Sequence, residues 1–106
     1  MIVIVDTDIL SMFAKAQALE VLMELVGPEQ LRMTPAIAEE IAIPLQYGYS
    51  FPRQLLSLIP VVDLGPPVVR EVVRLKIVAP SLGRGEREAK AMVETGTAGL
   101  AALAAM

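Results

Sequence analysis

The sequence predicts a single α/β domain built on a parallel sheet, and three observations carry that expectation. Residues Met1–Val5 (MIVIV) form an unbroken apolar run, the pattern of a strand covered on both faces. Other strand-like segments alternate with helix-periodic ones along the chain, as parallel sheets require. Hydrophobic residues make up 55% of the chain and aromatic ones only 4%, so the core must be made of Ile, Leu, Val, Ala and Met. At 106 residues, 1–106 is one domain with one core.

After the first strand, apolar residues from Ile9 to Val26 recur at helical spacing, with Lys15, Gln17, Glu20 and Glu24 on the other side. Gly27-Pro28 stops that helix. Leu31–Met33 is a short strand candidate. Thr34-Pro35 then offers an N-cap followed by proline at the first helical position, predicting a helix over Ala36–Ile43 that ends before Pro44. Gln46–Pro52 (QYGYSFP) reads as a loop and Leu55–Leu58 as a brief helical piece. Ile59–Leu64 (IPVVDL) reads as another strand. Gly65-Pro66-Pro67 introduces a helix over Val68–Val78, and the loop Ala79–Gly85 leads to a helix over Glu86–Glu94. The remaining segment, TGTAGLAALAAM, is small and apolar.

Composition excludes several chemistries. With no cysteine there is no disulfide, thiolate zinc site or cysteine nucleophile. With no histidine the commonest general base and transition-metal ligand is gone. Catalysis would have to use carboxylates, lysine, hydroxyls or a hard cation held by oxygen. The net charge of −3 gives no overall basic field for nucleic acid, although several cations lie between Lys76 and Lys90. No basic leader precedes Asp6 and the apolar runs are far too short to span a bilayer, so a cytoplasmic chain outside the membrane is expected.

The acids therefore bear the functional argument. Ligands of open parallel sheets bind beyond the carboxyl ends of the strands, where Asp6 sits, although Asp6 also suits a turn or a cap. Asp8 directly precedes the helix at Ile9 and reads as its N-cap. Ile37 and Ile41 define the buried side of the next helix, and Glu40 lies one turn beyond Ala36 and Ile37 while Glu39 points further toward solvent. A solvated acid is the plain reading of either and the preferred one for Glu39. At about 3.6 residues per turn, Leu82, Ala89 and Val93 share a helix face with Glu86 in its middle and Glu88 on its flank. An acid aimed along an apolar stripe must be paired, hydrogen-bonded or metal-bound. Several carboxylates at one crevice repel unless a cation neutralises them, and Mg²⁺ or Mn²⁺ takes such oxygen ligands.

Together, IVDTDIL, TPAIAEEI and LGRGEREAKAM resemble the PIN-domain family of metal-dependent ribonucleases, which includes many toxins of toxin–antitoxin pairs. IVDTDIL is similar to the family's strand ending in Asp-Thr, with Asp6 as its acid. TPAIAEEI is similar to its proline-led helix, with Glu40 as its glutamate. LGRGEREAKAM resembles the Gly-Glu-x-Glu-Ala motif of a mostly prokaryotic subgroup, in which Glu86 and Glu88 both have counterparts. The resemblance implies a three-layer α/β/α, Rossmann-like PIN domain with a central parallel sheet. It also implies Mg²⁺ or Mn²⁺ held by Asp6, Glu40, Glu86 and Glu88, RNA as substrate and a small antitoxin protein as partner. It breaks near the end, where Val93-Glu94-Thr95 runs directly into GTAGLAAL and the strand bearing the last acids, with its helix, is missing. The first strand is then left with an open edge, which a homodimer, a swapped segment or the apolar segment Gly99–Met106 would cover.

Three further readings stand beside the nuclease. One is a degenerate PIN fold that binds RNA or protein without cutting. Another resembles a haloacid-dehalogenase-type phosphatase, with Asp6 as nucleophile and Asp8 as acid, although Ile9-Leu10 do not follow that motif. The last is an acidic α/β domain that only assembles with itself or a partner.

Overall fold

A computed structural model of the chain describes residues 2–96 and 98–100. It corrects the expected architecture. The described residues are mostly helical, with six α-helices among them, and do not form a three-layer α/β/α domain around a central sheet. The sheet is a patch of three very short parallel strands in the order β2-β1-β3: β1 (Ile2–Ile4), β2 (Leu31–Arg32) and β3 (Ala98–Leu100).

The sheet stays small for identifiable reasons. β1 runs only three residues before Asp6 turns the chain into a helix. The segment expected as a strand over Ile59–Leu64 makes one isolated bridge, Met33 to Val61. Met33 N–H donates to the Pro60 carbonyl at 3.0 Å and Val62 N–H to the Met33 carbonyl at 2.9 Å. Pro60 has no N–H to extend that ladder, and Gly65 with two prolines ends the segment. On the other side of β1, β3 pairs in parallel through Ile2–Ala98, Val3–Gly99 and Ile4–Leu100. The edge expected to be open is thus covered by the start of the apolar segment, whose residues 101–106 lie outside the described ones, as does Met1.

The helices differ from expectation mainly in their breaks. The single helix expected over Ile9–Val26 is two: α1 (Thr7–Lys15) and α2 (Leu19–Val26). They are separated at Gln17, a non-glycine residue with φ of +56°. That left-handed conformation costs about 1 kcal/mol, and neither Gly nor Pro marks it in the sequence. The break lets Leu10 and Ala14 of α1 and Leu19 and Leu22 of α2 all enter one core. Gly27 ends α2 with φ of +97°.

α3 (Pro35–Ala42) begins as its residues dictate, and a 3₁₀ turn over Ile43–Tyr47 continues it through Pro44. α4 (Phe51–Leu58) starts earlier than the expected helical piece, because Pro52 is tolerated in a first turn. α5 (Pro66–Val78) and α6 (Arg84–Glu94) start two residues before the spans read from the sequence and end where expected. No helix among the described residues is long and apolar enough to cross a membrane.

Candidate functional site

A cleft of about 570 Å³ opens where the end of β1 and the start of α1 meet α3 and the length of α6. Ile4, Ile37, Leu82, Ala89 and Val93 give it apolar walls; Asp6, Asp8, Glu40, Glu86, Thr7 and Lys90 give it polar ones. Its size is that of ordinary small-molecule sites.

Asp6 occupies the N-cap position of α1, because the helix begins at Thr7 and not at Ile9. Its carbonyl accepts from Leu10 N–H at 3.0 Å, but its carboxylate makes no capping bond. The half-buried side chain is therefore left to the cleft. Asp8, expected to be the N-cap, instead sits exposed in the first turn of α1, still on the cleft wall.

α3 holds Glu40. In its first turn Pro35 has no N–H to satisfy, Ala36 N–H donates to Glu88 Oε1 at 2.8 Å, and Ile37 N–H donates to Thr34 Oγ1 at 3.2 Å. Farther along, Glu40 Oε2 accepts from the Thr7 hydroxyl at 2.9 Å. Glu39 points outward, as expected, and pairs with Arg84 of α6.

α6 approaches α3 closely because Gly85 has no side chain. A Cβ there would stand 3.0 Å from Glu40 Oε1 and 3.3 Å from Ile37 Cγ1. The buried face of α6 is Gly85, Glu88, Ala91 and Met92. This reverses the expected order of the two glutamates. The stripe Leu82–Ala89–Val93 lines the cleft, with Ala89 also packed against the core, and Glu86 is exposed on the cleft wall. Glu88, at 6% exposure, is the buried one and lies off the cleft, bonded to the start of α3. Glu88, which the resemblance names as a metal ligand, is here engaged by a backbone donor and does not line the cleft.

Asp6, Glu40 and Glu86 thus line one cleft, with Asp8 at its wall and Glu88 outside. Thr7 and Lys90 were not legible as site residues. Lys90 follows Glu86 by one helical turn, and its Nζ lies 3.8 Å from Glu94. The donor set is entirely oxygen, which suits a hard divalent cation. Among the described residues, however, no group of three acids stands close enough to hold a metal ion. Mg²⁺ commonly uses only one or two carboxylates, completing its shell with water and substrate phosphate, so the donor chemistry of this cleft fits such a cation. Searched against family models, curated proteins and solved structures, the chain finds no match.

Proposed function

We propose that the cleft binds Mg²⁺ or Mn²⁺ and that the chain is a metal-dependent endoribonuclease of PIN type, hydrolysing RNA phosphodiesters in the cytoplasm. The observation that carries this reading is that Asp6, Glu40 and Glu86, from distant parts of the sequence, line one cleft. The motif resemblance to PIN-domain ribonucleases supports it; the three-layer architecture is no part of it. A bound cation would supply charge to a phosphoryl oxygen and acidify a coordinated water.

The chain's residues supply the rest. Asp6, Glu40 and Glu86 offer the carboxylate oxygens, and Thr7 orients Glu40 through its hydroxyl. A carboxylate oxygen of Asp6 or Glu86 accepts the proton of an attacking water. Lys90, one turn from Glu86 on the same wall, offsets phosphate charge. An antitoxin-like protein partner and a homodimer belong to the same reading.

The test is Mn²⁺ uptake by isothermal titration together with cleavage of single-stranded RNA by the full chain. Both are expected, and both are expected to be lost in Asp6→Asn. A protein that takes up no metal and cuts no RNA sinks the proposal.

An alternative, a non-catalytic RNA- or protein-binding module, is favoured by one observation: the Thr7–Glu40 bond occupies a carboxylate the cation would need. The exposed rings of Tyr47 and Tyr49 would then serve as stacking faces. RNA binding that persists in EDTA, without cleavage in Mn²⁺, selects this module.

A further inference from the structure

Away from the cleft, α5 turns an apolar row to solvent. Val69, Val73 and Ile77, one turn apart each, are 46%, 54% and 75% exposed. The row lies opposite Val68 and Leu75, which anchor α5 in the core. It extends about 12 Å along the helix. Arg70 and Lys76 flank it, both exposed and both without an ion pair among the described residues. Arg74 is different, since Glu71 and Glu94 already hold its guanidinium. An acidic protein of net charge −3 therefore carries one helix whose free charges are positive.

α2 presents the opposite pattern. Leu19 and Leu22 face the core, while Val21 and Leu25 are 50% and 64% exposed. Glu20 and Glu24 form an acidic row beside that apolar pair, exposed and also without a cation partner among the described residues. One chain thus carries an apolar helix row edged by free cations and another edged by free anions.

We propose that these two faces dock on each other between copies of the chain, α5 of one against α2 of the next. Valine, leucine and isoleucine would pack at the centre, and the free positive charge of Arg70 and Lys76 would face the free negative charge of Glu20 and Glu24. Charge selects this pairing over the like-with-like ones. An α5–α5 pair would gather two copies of Arg70 and two of Lys76 at one contact with no free anion on either helix to offset them. An α2–α2 pair would set glutamate rows together in the same way. Because the contact joins two different surfaces, it closes a two-fold dimer when both contacts form at once and builds longer assemblies when they do not. The proposal is independent of the cleft, so it stands or falls whether or not the chain binds metal or cuts RNA.

Two short helices make an interface at the low end of the usual range, so association is read at about 100 μM to 1 mM. Sedimentation of the full chain at low salt should show concentration-dependent self-association. The constant should weaken about tenfold between roughly 50 mM and 500 mM salt. Arg70→Glu with Lys76→Glu, and separately Glu20→Lys with Glu24→Lys, should each leave the chain monomeric. All four positions are exposed, and circular dichroism checks that both variants remain folded. Mixing the two monomeric variants should restore association, because each supplies the face complementary to the other's reversed one. A wild-type chain that stays monomeric overturns the proposal. So does self-association that either double variant leaves intact, or a mixture that fails to associate.

Discussion

The two long faces of α6 carry glutamates two residues apart that meet opposite fates. On the buried face, Glu88 is enclosed with Gly85, Ala91 and Met92 and accepts the N–H of Ala36. On the cleft face, Glu86 stands beside Ala89, Lys90 and Val93, with solvent in front of it. The residue types are identical, so position alone separates a structural carboxylate from an available one. Small residues decide which is which. Gly85 and Ala91 let α6 lie close against its neighbours, and whatever shares their side is buried.

The sharpest way to break this contrast is to remove each acid in turn. Glu88→Ala strips the partner from a buried backbone N–H and leaves a void, which should cost about 2–3 kcal/mol. For a domain of this size the melting temperature should fall by roughly 8–20 °C. Glu88→Gln, whose amide oxygen can still accept from Ala36, should lose about 1 kcal/mol or less. Glu86→Ala should change stability by no more than about 0.5 kcal/mol. Thermal melts of the three variants side by side decide the matter, and equal losses at 86 and 88 would erase the distinction.

The same contrast explains what could be read from residues alone. Thr34-Pro35 announced α3 because an oxygen cap followed by a residue without an N–H leaves little alternative. Asp6, Glu40 and Glu86 were legible as candidates because few other groups in this chain can do chemistry. The phase of α6 was not legible. Its most visible apolar residues, Leu82, Ala89 and Val93, are cleft walls, while its buried side is built on small residues and a charged one. The sheet was overestimated for a related reason: β-branched runs such as Ile59–Leu64 have strand-like composition, but Pro60 leaves a gap in any ladder. The break at Gln17 was illegible, since the bonds that close α1 there, from Gln17 N–H to the Ala14 carbonyl and from Ala18 N–H to the Phe13 carbonyl, form a left-handed cap without the glycine or asparagine that usually marks one.

A smaller effect tests the seam between the faces. Gly85→Ala would place its Cβ 3.0 Å from Glu40 Oε1 and 3.3 Å from Ile37 Cγ1. Crowding of that kind costs about 1–3 kcal/mol, against which alanine returns nearly 1 kcal/mol of helix propensity. A net loss of about 1 kcal/mol is expected, measured as a lower urea midpoint. The flexible end of Glu40 should give way before the backbone does. Its bond to Thr7 would then be disturbed, and the cleft should change even where stability barely does.

The smallest effect belongs to the ion pair at the rim of the cleft, Arg84 with Glu39. Their side chains are 57% and 63% exposed, so water and salt screen the attraction. Arg84 is also the first residue of α6, where a cation opposes the helix dipole. Losing the pair removes a few tenths of a kcal/mol, and losing the misplaced charge returns a similar amount. Arg84→Ala should therefore leave the urea midpoint nearly unchanged. A loss above about 1 kcal/mol would mean that the rim, and not the bond between Glu88 and Ala36, holds α6 against α3.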